Sequence, residues 1–266
     1  MKLYDRVERV WNEVGALGLP PDATLDVREL AAFDHLHYHG TDAVDVAARR
    51  AGIGPRHRVL DVGAGLGGPA RYLAQSTGCA VDALELQEDI HETAAALTAR
   101  TGLGERVRHL RGNILDGPPV AAAYDAAISY LCILHIPDRA ALFPAIRAAL
   151  RPGGALYIED FTLRREPTAH EAEALRDRVQ CSYLPPLATY VEQLEAAGFE
   201  QVEADDMTDS WRAFTAERLD AFRAARPRHL AVHGPAIVDG LDEFYGTVAG
   251  LYGSGVLGGA RIVARA

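Results

Sequence analysis

Val59-Leu60-Asp61-Val62-Gly63-Ala64-Gly65-Leu66-Gly67-Gly68 decides how this chain is read. An apolar run carries one acidic residue, Asp61, near its end and then turns through four glycines within six positions. Glycine has no Cβ, so the backbone there can bend sharply and come close to a bound molecule. The next segment, from Pro69 to Ala74, has a helical pattern. A helix start presents backbone N–H groups with no partner inside the helix. Strand, glycine turn and helix start together make a nucleotide-binding corner.

Outward from that corner, strands and helices alternate. Strands are expected at 58–62, 80–86, 107–111, 124–130 and 155–161, with helices at 68–77, 88–101 and 138–150 between them. Such alternation predicts right-handed crossovers and a parallel sheet. Upstream, Leu3, Val7, Val10, Trp11 and Val14 recur at helical spacing and predict an opening amphipathic helix. A second segment carries Phe33-Asp34-His35-Leu36-His37-Tyr38-His39-Gly40, and a helix is expected at 41–51. After Thr162 the rhythm changes. Helices are expected at 166–179 and 187–197, a strand at 199–205, one long helix at 208–229 and a closing strand at 257–264. The expected architecture is α/β: a doubly wound, mostly parallel seven-stranded sheet. Residues 1–52 form a helical lid and 53–266 the nucleotide-binding domain, with a cap inserted at about 162–190.

Composition narrows the function. A chain of 266 residues, 48% hydrophobic, suits one large domain or a core with a small cap. A net charge of -10 argues against nucleic acid, whose binding depends on Lys and Arg neutralising phosphates. Cys79, Cys132 and Cys181 are far apart, with neither metal-site spacing nor an even disulfide set. A reduced, cytoplasmic setting is expected. The first fourteen residues carry charges every few positions and read as neither signal peptide nor membrane span.

Gly63, Gly65 and Gly68 satisfy G-x-G-x-x-G, which alone would suit NAD. Asp61 tips the balance. A pyrophosphate has no use for a negative charge there, whereas a ligand with a cationic amino group does. Glu85 closes the second strand, where a carboxylate accepts hydrogen bonds from both ribose hydroxyls. Asn113 and Ile114 follow the third strand, and an amide beside an apolar side chain can bracket an adenine edge.

These residues resemble the class I S-adenosylmethionine-dependent methyltransferases. The likeness covers residues 58–161 in order, through VLDVGAGLGG, LELQ, GNIL, YDAAISYLCILHI and LRPGGALYIEDF. A nearer likeness, carried by GLGGPARYLA, LHIPDR and DHLHYHG, is to small-molecule methyltransferases of the sarcosine/dimethylglycine and tocopherol type. The resemblance implies a Rossmann-like methyltransferase fold and S-adenosyl-L-methionine as cofactor. It also implies methyl transfer to a nitrogen or electron-rich carbon of a small molecule, with oxygen third. Carried over, Asp61, Gly63, Gly65 and Gly67 hold the methionine part, Glu85 the ribose, and Asn113 and Ile114 the adenine. Ala64, Leu86, Tyr130 and His135 complete the cofactor set. Many members have Asp where this chain has Asn113, whose carbonyl still accepts from the adenine amino group.

His35, His37 and His39 alternate, so in an extended segment all three would share a side, as metal ligands could. No Cys or carboxylate set completes such a site, and no metal is expected. The resemblance makes this segment a lid over the cofactor, with Tyr38 touching it and His37 or His39 facing the acceptor as a base. Glu159 is the third catalytic choice, ending the fifth strand beside Asp160; the alternative is a helix-facing ion pair. Tyr183 and Trp211 are expected to touch the acceptor, since aromatic rings stack on flat molecules and clamp cations. Phe214 reads as core, and His229 and His233 as solvent-facing or helix-capping. Arg71 reads as a partner for the cofactor carboxylate or as a surface charge. The expected partner is a small-molecule acceptor, with no nucleic acid or membrane and a homodimer left open. The alternatives are a cyclase or other non-methylating enzyme on the same fold and cofactor, an NAD-linked oxidoreductase, and a non-catalytic small-molecule binder.

Overall fold

The structure is a computed structural model that describes residues 7–266. Seven strands form one sheet in the order β3-β2-β1-β4-β5-β7-β6. They are β1 (Arg58–Val62), β2 (Ala80–Glu85), β3 (Val107–Arg111), β4 (Tyr124–Tyr130), β5 (Leu150–Leu163), β6 (Glu200–Asp206) and β7 (Leu257–Arg265). β1 pairs in parallel with both β2 and β4, and β4 with β5, while β7 runs antiparallel to both β5 and β6. The strand order reverses between β1 and β4. In open α/β sheets a crevice opens there, beyond the carboxyl ends of the strands.

Strand alternation builds the core on both faces. Val59 packs into one cluster with Val81, Ala83 and Ile128, while Leu60 and Val62 pack into another with Leu84, Leu156 and Ile158. The first face is covered by α3 (Gly40–Ala51) and α4 (Gly68–Thr77), through Val44, Ala47 and Leu73. The second is covered by α6 (Arg139–Ala149) and α8 (Leu187–Ala196), through Phe143, Ile146, Tyr190 and Leu194. α5 (Glu88–Ala99) crosses from β2 to β3. α1 (Glu8–Ala16) and α2 (Val27–Asp34) place Val10, Val14 and Leu30 against Leu66, Ile90 and Leu97. The N-terminal helices thus rest on the glycine corner. Leu3, expected in the opening helix, lies outside the described residues.

The C-terminal third departs from expectation. The single helix expected over 208–229 is α9 (Thr208–Ala224) followed by α10 (Arg226–His233), and then comes an unforeseen α11 (Pro235–Gly253). Pro227 lies in the first turn of α10, where its missing N–H goes unused, and Gly234 (φ 77°) separates α10 from α11. These helices fill the connection from β6 to β7. Because β7 is antiparallel to β6, the chain leaves and re-enters the sheet at one end, shared with the carboxyl ends of β1 to β5. α7 (Ala169–Asp177) lies in the expected cap interval, with a reciprocal cap between Thr168 and Glu171 at its start.

Candidate functional site

The glycine corner is fixed by backbone geometry before any ligand is considered. Gly63 has φ 74°, and a Cβ there would sit 2.0 Å from the Cys132 sulfur. The Gly63 and Ala64 N–H groups both donate to the Leu84 carbonyl, at 2.9 and 3.0 Å. The Gly65 N–H donates to Glu85 Oε2 at 2.9 Å, and the Gln87 N–H donates to Glu85 Oε1 at 2.8 Å. Glu85 therefore holds the loop as well as facing the crevice. Gly67 (φ 76°) starts α4 and packs beside His109 and Arg71.

A first cavity opens at this corner. Asp61, Gly63, Ala64, Gly65, Glu85 and Leu86 line it, and Asn113, Ile114, Tyr130 and His135 close it. Of the expected cofactor set, Gly67 and Tyr38 are absent from its walls. Asp61 is fully buried, and its Oδ2 has no hydrogen-bond partner. Burial, then the neighbouring Glu85, pushes its carboxyl up to about 7. Burial also raises Glu85, against its backbone N–H donors. Two desolvated carboxyls on one wall suit a ligand that brings one cationic group and several hydroxyls. Asn113 Oδ1 accepts from the Leu115 N–H at 3.1 Å and so caps the turn Ile114–Asp116, leaving its second lone pair and its amide for a ligand.

A second cavity of about 710 Å³ lies beyond, between the N-terminal helices and α9–α11. It shares Leu36, His37, Leu66, Leu131 and His135 with the first. His37 stands at the junction. Its Nδ1 is 3.0 Å from the Tyr38 carbonyl and so carries the proton, which leaves the unpartnered, buried Nε2 as an acceptor. The ring stacks on Tyr130 with centroids 4.5 Å apart. Burial, with His35 nearby, brings its pKa down to about 3, so the imidazole is neutral near pH 7.

Several expectations are corrected. Tyr38 lines the second cavity, packed against Trp211 and Phe214, because α9 draws the ring away from the glycine corner. His39 lines neither cavity. It starts α3 in the left-handed region (φ 58°), lies against Phe214, and its Nε2 is 3.0 Å from Ser210 Oγ. Glu159 lines neither cavity; it accepts from Tyr157 at 2.6 Å and pairs with Arg261 at 2.9 Å. It is an ion pair across β5 and β7. Asp160 points the other way, accepting from Tyr190 at 3.1 Å. Trp211 is 0% exposed, in the core cluster beneath α9 and α11. A Cβ on Gly259 would come within 2.2 Å of its ring, so β7 is cut away to seat it. Tyr183 lines neither cavity; it accepts from Gln193 at 2.7 Å and lies near Arg139.

Other residues enter that sequence reasoning did not single out for the site. Asp34 and Cys132 line the first cavity, and Arg218 the second. Phe214, Tyr245 and His229 also line the second cavity. Arg71 is neither a surface charge nor a cavity residue but a buried strut, bonded to Asp34, the Leu66 carbonyl and Thr98. Its partners are 5 to 37 residues away, so no local pattern marks it. Among the described residues, one cluster could hold a metal: Glu13, His229 and His233. Arg228 already grips both Glu13 oxygens there. Among the described residues, no helix is long and apolar enough to cross a membrane.

Residues 59–154 match the family model described as a methyltransferase domain. The glycine/sarcosine/dimethylglycine N-methyltransferase of Actinopolyspora halophila is 30% identical over 162 residues, which is 61% of this chain and 29% of that protein. The chain thus spans less than a third of that relative's length. A Haemonchus contortus phosphoethanolamine N-methyltransferase 2, solved with S-adenosyl-L-methionine, superposes with a TM-score of 0.83 at 19% identity, covering 100% of this chain and 60% of that one. The [4+2]-cyclase SpnF superposes with a TM-score of 0.74 at 22% identity, covering 99% and 93%. Residues 59–154 thus carry a methyltransferase domain, and the chain is similar to small-molecule N-methyltransferases.

Proposed function

We propose that the chain binds S-adenosyl-L-methionine in the first cavity and methylates a nitrogen or electron-rich carbon of a small molecule held in the second. The observation that carries this reading is Asp61, a buried carboxyl with an unpartnered oxygen on the cavity wall beside Glu85. The donor set fits the cofactor: Asp61 for its ammonium group, Glu85 for the ribose hydroxyls, Asn113 and Ile114 for the adenine. A dinucleotide would set a pyrophosphate against Asp61, which like charge opposes.

When bound, the cofactor supplies an electrophilic methyl group on a sulfonium. The chain's own residues then position and exclude water, the main needs of an in-line displacement. Tyr130 and His37 form a stacked wall at the junction of the cavities. His37 Nε2 accepts a hydrogen bond from the acceptor and orients it. A neutral imidazole with a pKa of about 3 is a weak base, which favours nitrogen and carbon over a hydroxyl that must lose its proton.

Calorimetry with S-adenosylhomocysteine tests the cofactor. The wild-type protein is expected to bind it and Glu85→Ala to bind at least about ten-fold more weakly, from the loss of charge-assisted hydrogen bonds. Displacement by NAD, or no binding, would overturn the reading. Labelled methyl appearing in an acceptor separates methyl transfer from a cyclase on the same fold.

A further inference from the structure

We propose that the second cavity selects a bulky, mainly apolar acceptor whose anionic end is received by Arg218, and that it turns away compact ammonium compounds. The inference rests on the methyl-transfer reading and specifies its acceptor class.

Size is the first ground. A cavity of about 150 Å³ is enough to hold benzene. This one is about 710 Å³, within the range of sites that enclose a drug-sized molecule. An amino acid as small as sarcosine would leave most of it to water. Its walls are largely hydrocarbon, with Phe33, Leu134, Phe161, Phe222, Ile237 and Leu241 among them. A site shaped by such side chains gains most from a ligand that covers them.

Charge is the second ground. Aromatic faces cage ammonium groups, and Tyr38, Phe214 and Tyr245 bring three such faces to the cavity. The chain fills that cage itself. The Arg218 guanidinium lies 4.4 Å from the Tyr245 ring centre, 5.0 Å from Tyr38 and 5.6 Å from Phe214. No carboxylate pairs with Arg218 among the described residues, and its Nε is buried with no hydrogen-bond partner. Nor does any Asp or Glu among the described residues line the cavity. Arg178 and Arg9 also line it; Arg178 is paired with Glu243 at 2.8 Å, and Arg9 adds a second positive charge at the end formed by α1. Burial lowers His35, His37, His135 and His229, which therefore add no charge near pH 7. A half-buried cation with no counter-ion among the described residues, set among three rings in a largely apolar chamber, is a receptor for an anion. It repels a second cation.

Matched fluorescent probes test this on the full chain. 1-Anilinonaphthalene-8-sulfonate and N-phenyl-1-naphthylamine share one ring skeleton and differ by the sulfonate. The sulfonate is expected to bind at least about ten-fold more tightly, the effect of one charge-assisted contact. Arg218→Met should remove that preference while leaving N-phenyl-1-naphthylamine affinity unchanged, and Arg218→Lys should keep most of it. Sarcosine in large excess should displace neither probe. Equal affinities in the wild type, a preference that survives Arg218→Met, or displacement by sarcosine would overturn the proposal. Calorimetry with S-adenosylhomocysteine on the same sample separates the two readings. Binding without an anion preference removes the acceptor class and leaves the cofactor. An anion preference without binding removes methyl transfer and leaves Arg218 as the anion receptor.

Discussion

Arg71 donates to Asp34 at 2.7 Å with both side chains sealed from solvent, so the last residue of α2 is bonded to the first turn of α4. The same guanidinium donates to the Leu66 carbonyl at 2.6 Å, and thus to the glycine corner itself. One side chain joins the N-terminal helices to the loop that shapes the first cavity. Arg71→Met should cost about 3–5 kcal/mol, because it strands the Asp34 carboxylate in the core. Adding Asp34→Leu should recover a large part of that loss, since the unpaired charge leaves with it. Urea denaturation of the two variants checks both outcomes.

On the proposed reading, Asp61 should make cofactor affinity depend on pH. Its carboxyl titrates at about 7 in the free protein, and an ammonium partner needs it ionised. S-Adenosylhomocysteine affinity should be full above pH 8 and fall below pH 7, approaching ten-fold per pH unit, with a proton released on binding near pH 6. The stability effect has the opposite sign. Because the folded-state value lies above the ordinary 3.8, the native state holds this proton more tightly than the unfolded chain. That contribution is complete below pH 4 and is lost as pH rises through 7. Asp61→Asn should therefore raise the melting temperature at pH 8 while abolishing cofactor binding. Calorimetry across pH and paired thermal melts read the two effects.

The histidines separate by position. His39 is bonded to Ser210 and lines neither cavity, so His39→Ala should leave the rate and its pH profile unchanged. His37 stands where the cavities meet. His37→Phe preserves the stacking on Tyr130 but removes the Nε2 acceptor, and should lower kcat at least about ten-fold with little change in cofactor affinity. Steady-state kinetics beside calorimetry tests the contrast.

The parallel half of the sheet was legible because its signals are local. Short apolar runs, four glycines and an acid at a strand end all fall within short windows, and β1 and the corner lie where they were expected. That His39 and Glu159 lie outside both cavities was not legible, because it depends on packing between distant segments. Period-two alternation puts Glu159 and Asp160 on opposite faces but says nothing of Arg261, which binds Glu159 from 102 residues away. Trp211 offered an aromatic ring for an acceptor; only the bare backbone of Gly259 shows that the ring is a core plug. His35, His37 and His39 look equivalent in sequence. The left-handed turn at His39 sends that side chain to α9 and leaves His37 at the junction.

The hairpin-like closure of β6 onto β7 separates inheritance into two parts. Residues between Asp206 and Leu257 leave and rejoin the sheet at the same end, so a change among them does not re-register β1, β2 and β4, whose residues line the first cavity. The wall of the second cavity can therefore be reshaped independently of the first, provided a ring still fills the notch at Gly259.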